Sequence, residues 1–213
     1  VSDFDGTMTR HDFYALVSER LLPPGTPNYW AEYRAGRMTH FEALNAYFAA
    51  ARPDEAAVLD VVRSMGLEPL LKPEVEALGG AGWRVVVASA GCLWYIDRLL
   101  RAAGVDLETH ANPGELVGGR LVMELPRGST FFSPNNGIDK AAVVRHSQKT
   151  YEAVAFAGDG PPDLEAALLV PPSLRYARGQ LAAELEQQGQ GFHRYERWSE
   201  VARAVVELER KIK

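Results

Sequence analysis

Apolar residues along the chain fall into two alternating kinds of pattern. Four short runs read as strands: Arg84 to Ala88, Ala153 to Ala157, Leu174 to Ala177 and Phe192 to Tyr195. Most lead into segments with helical spacing. Leu93, Ile96, Leu99, Leu100 and Ala103 share one helix face before a stop at Gly104, and Pro162 suits a first helical turn ahead of Leu164, Ala167 and Leu168. Strands alternating with helices predict an α/β architecture, a Rossmann-like doubly wound parallel sheet covered on both faces. Ligands of such sheets collect at the carboxyl ends of the strands.

Between Phe13 and Leu78 the strand signal disappears. Phe13, Leu16, Val17 and Leu21 line one helical face; Thr39 and Glu42 form a capping box ahead of Leu44 and Phe48. Pro53, with Asp54 and Glu55, marks another helix start leading to Val58, Val61, Val62 and Met65, with a stop at Gly66. The organisation expected is a core of residues 1–12 and 79–213, with an all-helical insertion at 13–78. Glu115 to Leu125, with Gly118-Gly119 at its middle, predicts a β-hairpin. Trp198 to Lys213 reads as a terminal helix packed through Val201, Val205 and Leu208.

Composition narrows the function classes. The 213 residues carry a net charge of −5, so no basic field exists to hold a nucleic-acid backbone. Cys92 is the single cysteine, which excludes an internal disulfide and argues against a cysteine zinc site. No apolar run approaches a bilayer span and no secretory leader pattern opens the chain, so no membrane partner is expected and a reducing cytoplasm is the expected location. Only Val1 and Ser2 precede the first acidic motif, and further strand residues are expected upstream. No G-x-x-x-x-G-K-[ST] loop occurs. His11, His40, His110, His146 and His193 lack metal-ligand spacing and read as structural or exposed, with His11 alone close to the first motif.

Four separated segments carry candidate chemistry. Asp3 and Asp5 stand two apart before a turn at Gly6, where both carboxylates can approach one centre. Two adjacent acids repel unless a cation or a shared proton intervenes, and carboxylate oxygens suit magnesium. Ser89 follows an apolar strand and precedes Ala90-Gly91, so its hydroxyl and the next N–H groups suit a phosphate. Lys140 opens an amphipathic helix carrying Val143 and Val144. Asp159 and Asp163 lie in Gly158-Asp159-Gly160-Pro161-Pro162-Asp163, a tight loop after the Ala153 to Ala157 strand. Alone, each has an ordinary reading as a polar turn, a helix cap or a surface lysine.

Taken in order, Asp3-Phe4-Asp5-Gly6-Thr7, Ser89, Lys140 and the 158–163 loop resemble the four motifs of the haloacid dehalogenase superfamily. The helical insertion is similar to that superfamily's cap of the first type, shared with phosphoserine phosphatases. The resemblance implies a phosphatase in which Asp3 is the nucleophile and Asp5 the acid, then base. It implies magnesium held by Asp3, the backbone carbonyl of Asp5, and Asp159, with Asp163 in support. Ser89, Ala90 and Lys140 would bind phosphate. Asp5 argues against dehalogenation, because a halide leaves without a proton.

Within the superfamily the chain resembles the methionine-salvage phosphatases acting on a methylthio-keto-pentenyl phosphate, through Ser89-Ala90-Gly91 with Trp94-Tyr95-Ile96, through Tyr176-Ala177-Arg178, and through Asp12. Asp12, Trp94 and Arg178 are thereby substrate-pocket candidates. Phosphoserine phosphatases usually place a glutamate where this chain has Asp12, and Phe131 to Asn136 lacks the cysteine-rich character the salvage enzymes can show. Trp30, Tyr33, Arg34 and Arg37 are further residues that could face a substrate, although aromatic residues at helical spacing are more often core. The expected partner is a small phosphate ester. The competing readings are a phosphoserine phosphatase-like enzyme, a phospho-binding or regulatory protein without turnover, and transfer to an acceptor other than water. Oligomeric state is not legible in the sequence.

Overall fold

The computed structural model describes residues 1–51 and 54–212. Helices α1 (Phe13–Arg20), α2 (Tyr29–Arg34), α3 (His40–Ala50) and α4 (Glu55–Ser64) follow the first motif without an intervening strand. Short polar side chains cap each of them. Asp12 accepts from Ala15 N, Asn28 from Ala31 N, and Asp54 from Ala57 N, while Thr39 and Glu42 form the expected reciprocal box. Pro53, expected at a helix start, lies outside the described residues, and Asp54 provides the cap. The chain enters and leaves this block through a paired connection: Arg10 N donates to Gly66 O and His11 N to Met65 O, while Glu68 N donates back to Met8 O.

After this connection the chain turns to the sheet. Helix α5 (Leu71–Gly80) packs against the terminal helix α10 (Trp198–Ile212), and Arg203 Nε donates to Glu74 Oε1 at 2.8 Å across the pair. Strand β1 (Val86–Cys92) is followed by α6 (Leu93–Ala102) and β2 (Glu108–Asn112). Then come the hairpin β3 (Gly114–Val117) and β4 (Arg120–Met123) and the short pair β5 (Phe132–Ser133) and β6 (Gly137–Ile138). The chain continues through α7 (Lys140–Thr150), β7 (Phe156–Gly158), α8 (Leu164–Leu168), β8 (Arg175–Ala177), α9 (Gly179–Gln187) and β9 (His193–Arg194) before α10.

The parallel sheet is organised around Ser2. β1 pairs with β2, β7 with β8 and β8 with β9, all parallel, and Ser2 bridges Val87 on one side and Ala157 on the other. The order is therefore β2–β1–Ser2–β7–β8–β9, and the direction of winding reverses beside Ser2. Side chains alternate across it, as strand geometry requires. Val87, Ala157 and Tyr176 face the core shared with α5, α6 and α10, whereas Phe156 and Ala177 face α7, α8 and α9. The doubly wound parallel expectation holds.

The sheet differs from the sequence reading beside Ser89. The strand expected at Arg84 to Ala88 continues to Cys92, because β2 goes on pairing with it as far as Asn112 after an irregularity in register. Ser89, Ala90 and Gly91 thus lie within the strand. β2 itself went unpredicted, since Glu108-Thr109-His110-Ala111-Asn112 shows no apolar alternation. The hairpin turn is as expected: Gly118 and Gly119 have φ of 56° and 79°, the left-handed pair a two-residue turn requires. No described helix is long and apolar enough to cross a membrane.

Candidate active site

Asp3 emerges from the carboxyl end of the central strand position, at the switch point where the sheet's winding reverses. Gly6, at φ 67°, folds the chain back so that Met8 N donates to Phe4 O at 2.9 Å. A Cβ at Gly6 would overlap the Asp159 carboxylate, so only glycine lets the first turn lie against the 158–163 loop. Lys140 Nζ, 5% exposed, donates at 2.6 Å to both Asp3 Oδ1 and Asp163 Oδ1. Asp163 Oδ2 accepts from Asp159 N and Gly160 N, at 3.0 and 2.9 Å, and so ties its own loop to the lysine. Thr7 Oγ1 completes the cluster, donating to Asp3 Oδ2 at 3.4 Å and Asp159 Oδ1 at 3.3 Å. Oxygen atoms of Asp3, Asp159 and Asp163 all lie within 4.8 Å of one another.

The side chain of Asp5 turns away from this trio. Its Oδ2 accepts from Tyr95 Oη at 2.8 Å and from Ser89 Oγ at 3.4 Å, and its Oδ1 from Phe13 N at 3.2 Å. Ser89 Oγ in turn accepts from Gly91 N at 3.0 Å. The Ser89 hydroxyl and Gly91 N, expected to face a phosphate, are thus bonded to Asp5 and to each other here. Asn112 Nδ2 holds the same stretch from behind, donating to Ala90 O at 2.7 Å.

A cleft of about 700 Å³ opens over these groups between the sheet and the helical block. Asp3, Asp5, Ser89, Ala90, Lys140, Asp159 and Asp163 all line it, so four distant segments converge. Of the substrate-pocket candidates only Asp12 joins them. Trp94 does not line the cleft: it lies under the Arg98 guanidinium, 3.9 Å from its ring centroid. Arg178 is a brace, donating to Glu196 O, Thr9 O and Arg10 O, with its guanidinium 5.7 Å from the Tyr195 ring. Arg37 pairs with Glu32 on the surface, whereas Trp30, Tyr33 and Arg34 reach the cleft. Tyr14, His40 and Tyr95 also line it. His40 was read as structural or exposed, and only the fold of α3 over the sheet brings it there.

A family model described as haloacid dehalogenase-like hydrolase matches residues 1–168, more than three quarters of the sequence. The chain is a haloacid dehalogenase-like hydrolase. No curated protein sequence matches this hydrolase at a significant level. Among solved structures it is similar to a HAD family hydrolase from Salmonella enterica serovar Typhi, with TM-score 0.65 and 18% identity over 92% of this chain and 66% of that one. It is also similar to a substrate-bound phosphoserine phosphatase, with TM-score 0.65 and 16% identity over 100% of this chain and 96% of the other. A third is a phosphoserine phosphohydrolase-like protein from Francisella tularensis, with TM-score 0.60 and 15% identity over 100% and 98%. At such identities the likeness is one of fold.

The electrostatics of the hydrolase's cleft separate its two leading acids. Burial, then Asp163, pushes Asp3 up to about 6 against the pull of Lys140, so Asp3 is ionised at neutral pH. Burial, then Asp12 and Asp3, lifts Asp5 well above the usual carboxylate range, against the hydrogen bonds from Tyr95 and Phe13 N. Asp159 is pushed up to about 9 by burial and by the charges of Asp3 and Asp163. Burial opposes charge on Lys140, yet Asp163 and Asp3 raise it above the ordinary lysine value. Three clustered carboxyl groups face one ammonium, and the rise of Asp159 to about 9 reflects how poorly they tolerate full ionisation without a further cation among these hard oxygen donors. Such a set fits a divalent cation of the magnesium or calcium type.

Proposed function

We propose that this hydrolase is a magnesium-dependent phosphatase that hydrolyses a small phosphomonoester through a phosphoryl-aspartate on Asp3. The observation that carries the reading is the contrast between two acids two residues apart. Asp3, held by Lys140 beside Asp159, has the position of a nucleophile; Asp5, turned away from that trio towards Tyr95 and Ser89 and lifted by burial well above the usual carboxylate range, has the character of a general acid. An oxygen of Asp3 attacks phosphorus and the ester P–O bond breaks, while Asp5 gives its proton to the departing alkoxide. Asp5 then takes a proton from the water that attacks the phosphoryl-aspartate, releasing phosphate and restoring both acids. Lys140, with Ser89 and the Ala90 backbone, would hold the phosphate oxygens as negative charge gathers on them. Magnesium would be held by Asp3, Asp159 and the Asp5 carbonyl, with Asp163 in support, and would supply positive charge to the phosphate oxygens. A protein that merely accepts a phosphoryl group would not need a second acid at Asp5.

We assign the part of the expected 13–78 insertion that acts as a lid to the residues between the hydrogen-bonded segments Arg10–His11 and Met65–Gly66. α5 stays with the sheet through α10. Closure of that lid would exclude water from the phosphoryl-aspartate until the leaving group has gone. For the substrate, we favour the keto-alkyl phosphate class of the methionine-salvage phosphatases, supported by aspartate rather than glutamate at Asp12 and by the aromatic lining of the cleft. A phosphoserine-like substrate is the second reading, supported by the opposite charges of Asp12 and Arg34 in that cleft.

Two measurements test this reading. Continuous phosphate release from a panel of phosphomonoesters is expected with magnesium, and none with a chelator; a single stoichiometric burst would favour a phosphoryl acceptor instead. Stability is expected to follow the raised carboxylates. Asp3 and Asp159 bind protons more tightly in the folded chain than in the unfolded one, so stability is greatest near pH 4 and is lost as pH rises through about 6 and about 9. Thermal denaturation in chelator should therefore give a lower midpoint at pH 9 than at pH 5, with magnesium reducing the difference. A midpoint that rises with pH in chelator would contradict the charge arrangement.

A further inference from the structure

Within the cleft, one polar atom is left over by the chemistry above. His40 opens α3, fixed there by its own N–H donating to Asn135 Oδ1 at 3.2 Å and by the Thr39 cap before it. Its ring lies 5.1 Å from that of Trp30 and 5.7 Å from that of Tyr33, and Trp30 packs at 5.2 Å on Tyr14. Among the described residues, His40 Nδ1 is buried and has no hydrogen-bond partner. A buried polar atom without a partner is costly, and few occur without a reason. Burial, then the positive charge of Lys140, pulls His40 down to about 4, so the imidazole is neutral and can exchange one hydrogen bond with an uncharged group.

The surroundings specify the rest of the ligand. Tyr14, Trp30, Tyr33, Leu44 and Phe48 line the cleft beside His40 and offer aromatic and aliphatic surface. The charged residues of this side are less suited to selecting a zwitterion. Arg34 is exposed, where a single ion pair contributes little, and Asp12 already spends Oδ1 on capping α1. We propose that His40 is a specificity-determining residue whose Nδ1 bonds a neutral hydroxyl or carbonyl on the leaving group, and that the preferred substrate is the phosphate of an uncharged, largely apolar alcohol. The inference rests on the phosphatase reading and deepens it.

The test compares kcat/KM, with magnesium, for a keto-alkyl phosphate, the plain alkyl phosphate of equal chain length, and phosphoserine. The wild-type protein is expected to prefer the keto-alkyl ester to each of the others by about tenfold, the factor one neutral hydrogen bond is worth. His40→Phe should erase the preference over the plain alkyl ester while leaving that ester within about twofold of wild type. His40→Asn, which keeps a polar group at the position, should retain part of it and gives the same ratio should His40→Phe fail to fold. An unchanged ratio in both variants, an equal loss on both alkyl esters, or a wild-type preference for phosphoserine overturns the proposal while leaving the phosphatase intact. Failure of the wild-type protein to hydrolyse any of the three overturns the phosphatase reading and this proposal with it.

Discussion

Asp3→Asn is expected to lower phosphate release by about four orders of magnitude or more, the scale on which enzymes lose rate when a covalent nucleophile is removed. The amide matches the carboxylate in shape: its one oxygen can still accept from Lys140 Nζ, and its NH2, in place of Oδ2, can donate to the Thr7 hydroxyl, so the geometry around it should survive. What disappears is the negative oxygen that attacks phosphorus. The loss should fall on kcat with KM little changed, because Lys140, Ser89 and the cleft walls remain to bind substrate. Stability should move the other way. Asp3 contributes one of three crowded carboxylates, and removing its charge relieves Asp159 and Asp163. In chelator at pH 8 the variant should melt at or above the wild-type midpoint. Activity above about one hundredth of wild type would reject Asp3 as nucleophile, since that residue exceeds what the remaining groups supply. A large drop in midpoint would instead mean that the carboxylate is held as a structural partner of Lys140.

How much of this was legible beforehand depended on the distance over which each signal acts. The acid pair at Asp3 and Asp5, the 158–163 loop and the helix opened by Lys140 are local patterns, and the structure brings them to one cleft. The doubly wound sheet could be read because Val85 to Ala88 and Ala153 to Ala157 are apolar enough to be buried on both faces. β2 could not: Glu108, Thr109 and His110 are polar, and only pairing with β1 makes them a strand. That pairing also draws Ser89 to Gly91 into extended backbone, beyond the strand end expected at Ala88. Neighbours in sequence proved a poor guide to the pocket. On α6, Tyr95 points to Asp5 while adjacent Trp94 lies under Arg98, as helical geometry dictates for consecutive residues. Arg178 follows a strand end beside the site, yet three backbone carbonyls take up its guanidinium. His40 shows no pattern in the sequence, because its role depends on how α3 settles over the sheet and on Asn135, 95 residues away.

Lys140→Met should produce the largest loss of stability among substitutions in the cleft, and the loss should depend on pH. Methionine fills most of the lysine stem's volume, so packing changes little; the charge is what is removed. Asp3 and Asp163 then face each other and Asp159 without the ammonium that bonds both at 2.6 Å. Stranding a buried charge in this way costs about 3–5 kcal/mol, which for a protein of this size corresponds to roughly 6–20 °C in midpoint. Asp3 and Asp159 can escape part of the cost by taking up protons, which raises their folded-state values further above the unfolded ones. A raised folded value leaves stability intact below the unfolded value near 4 and removes it as pH climbs through the folded one. The difference in midpoint from wild type should therefore be small near pH 4, grow towards pH 8, and shrink again when magnesium supplies charge to the same oxygens. Turnover should fall by about 10²–10³, the scale for one lost donor to developing oxyanion charge, and magnesium should not restore it. A midpoint deficit of the same size at pH 4 and pH 8 would assign the effect to packing of the side chain. In that case the bridge from Asp3 to Asp163 would not be what keeps the acid cluster together.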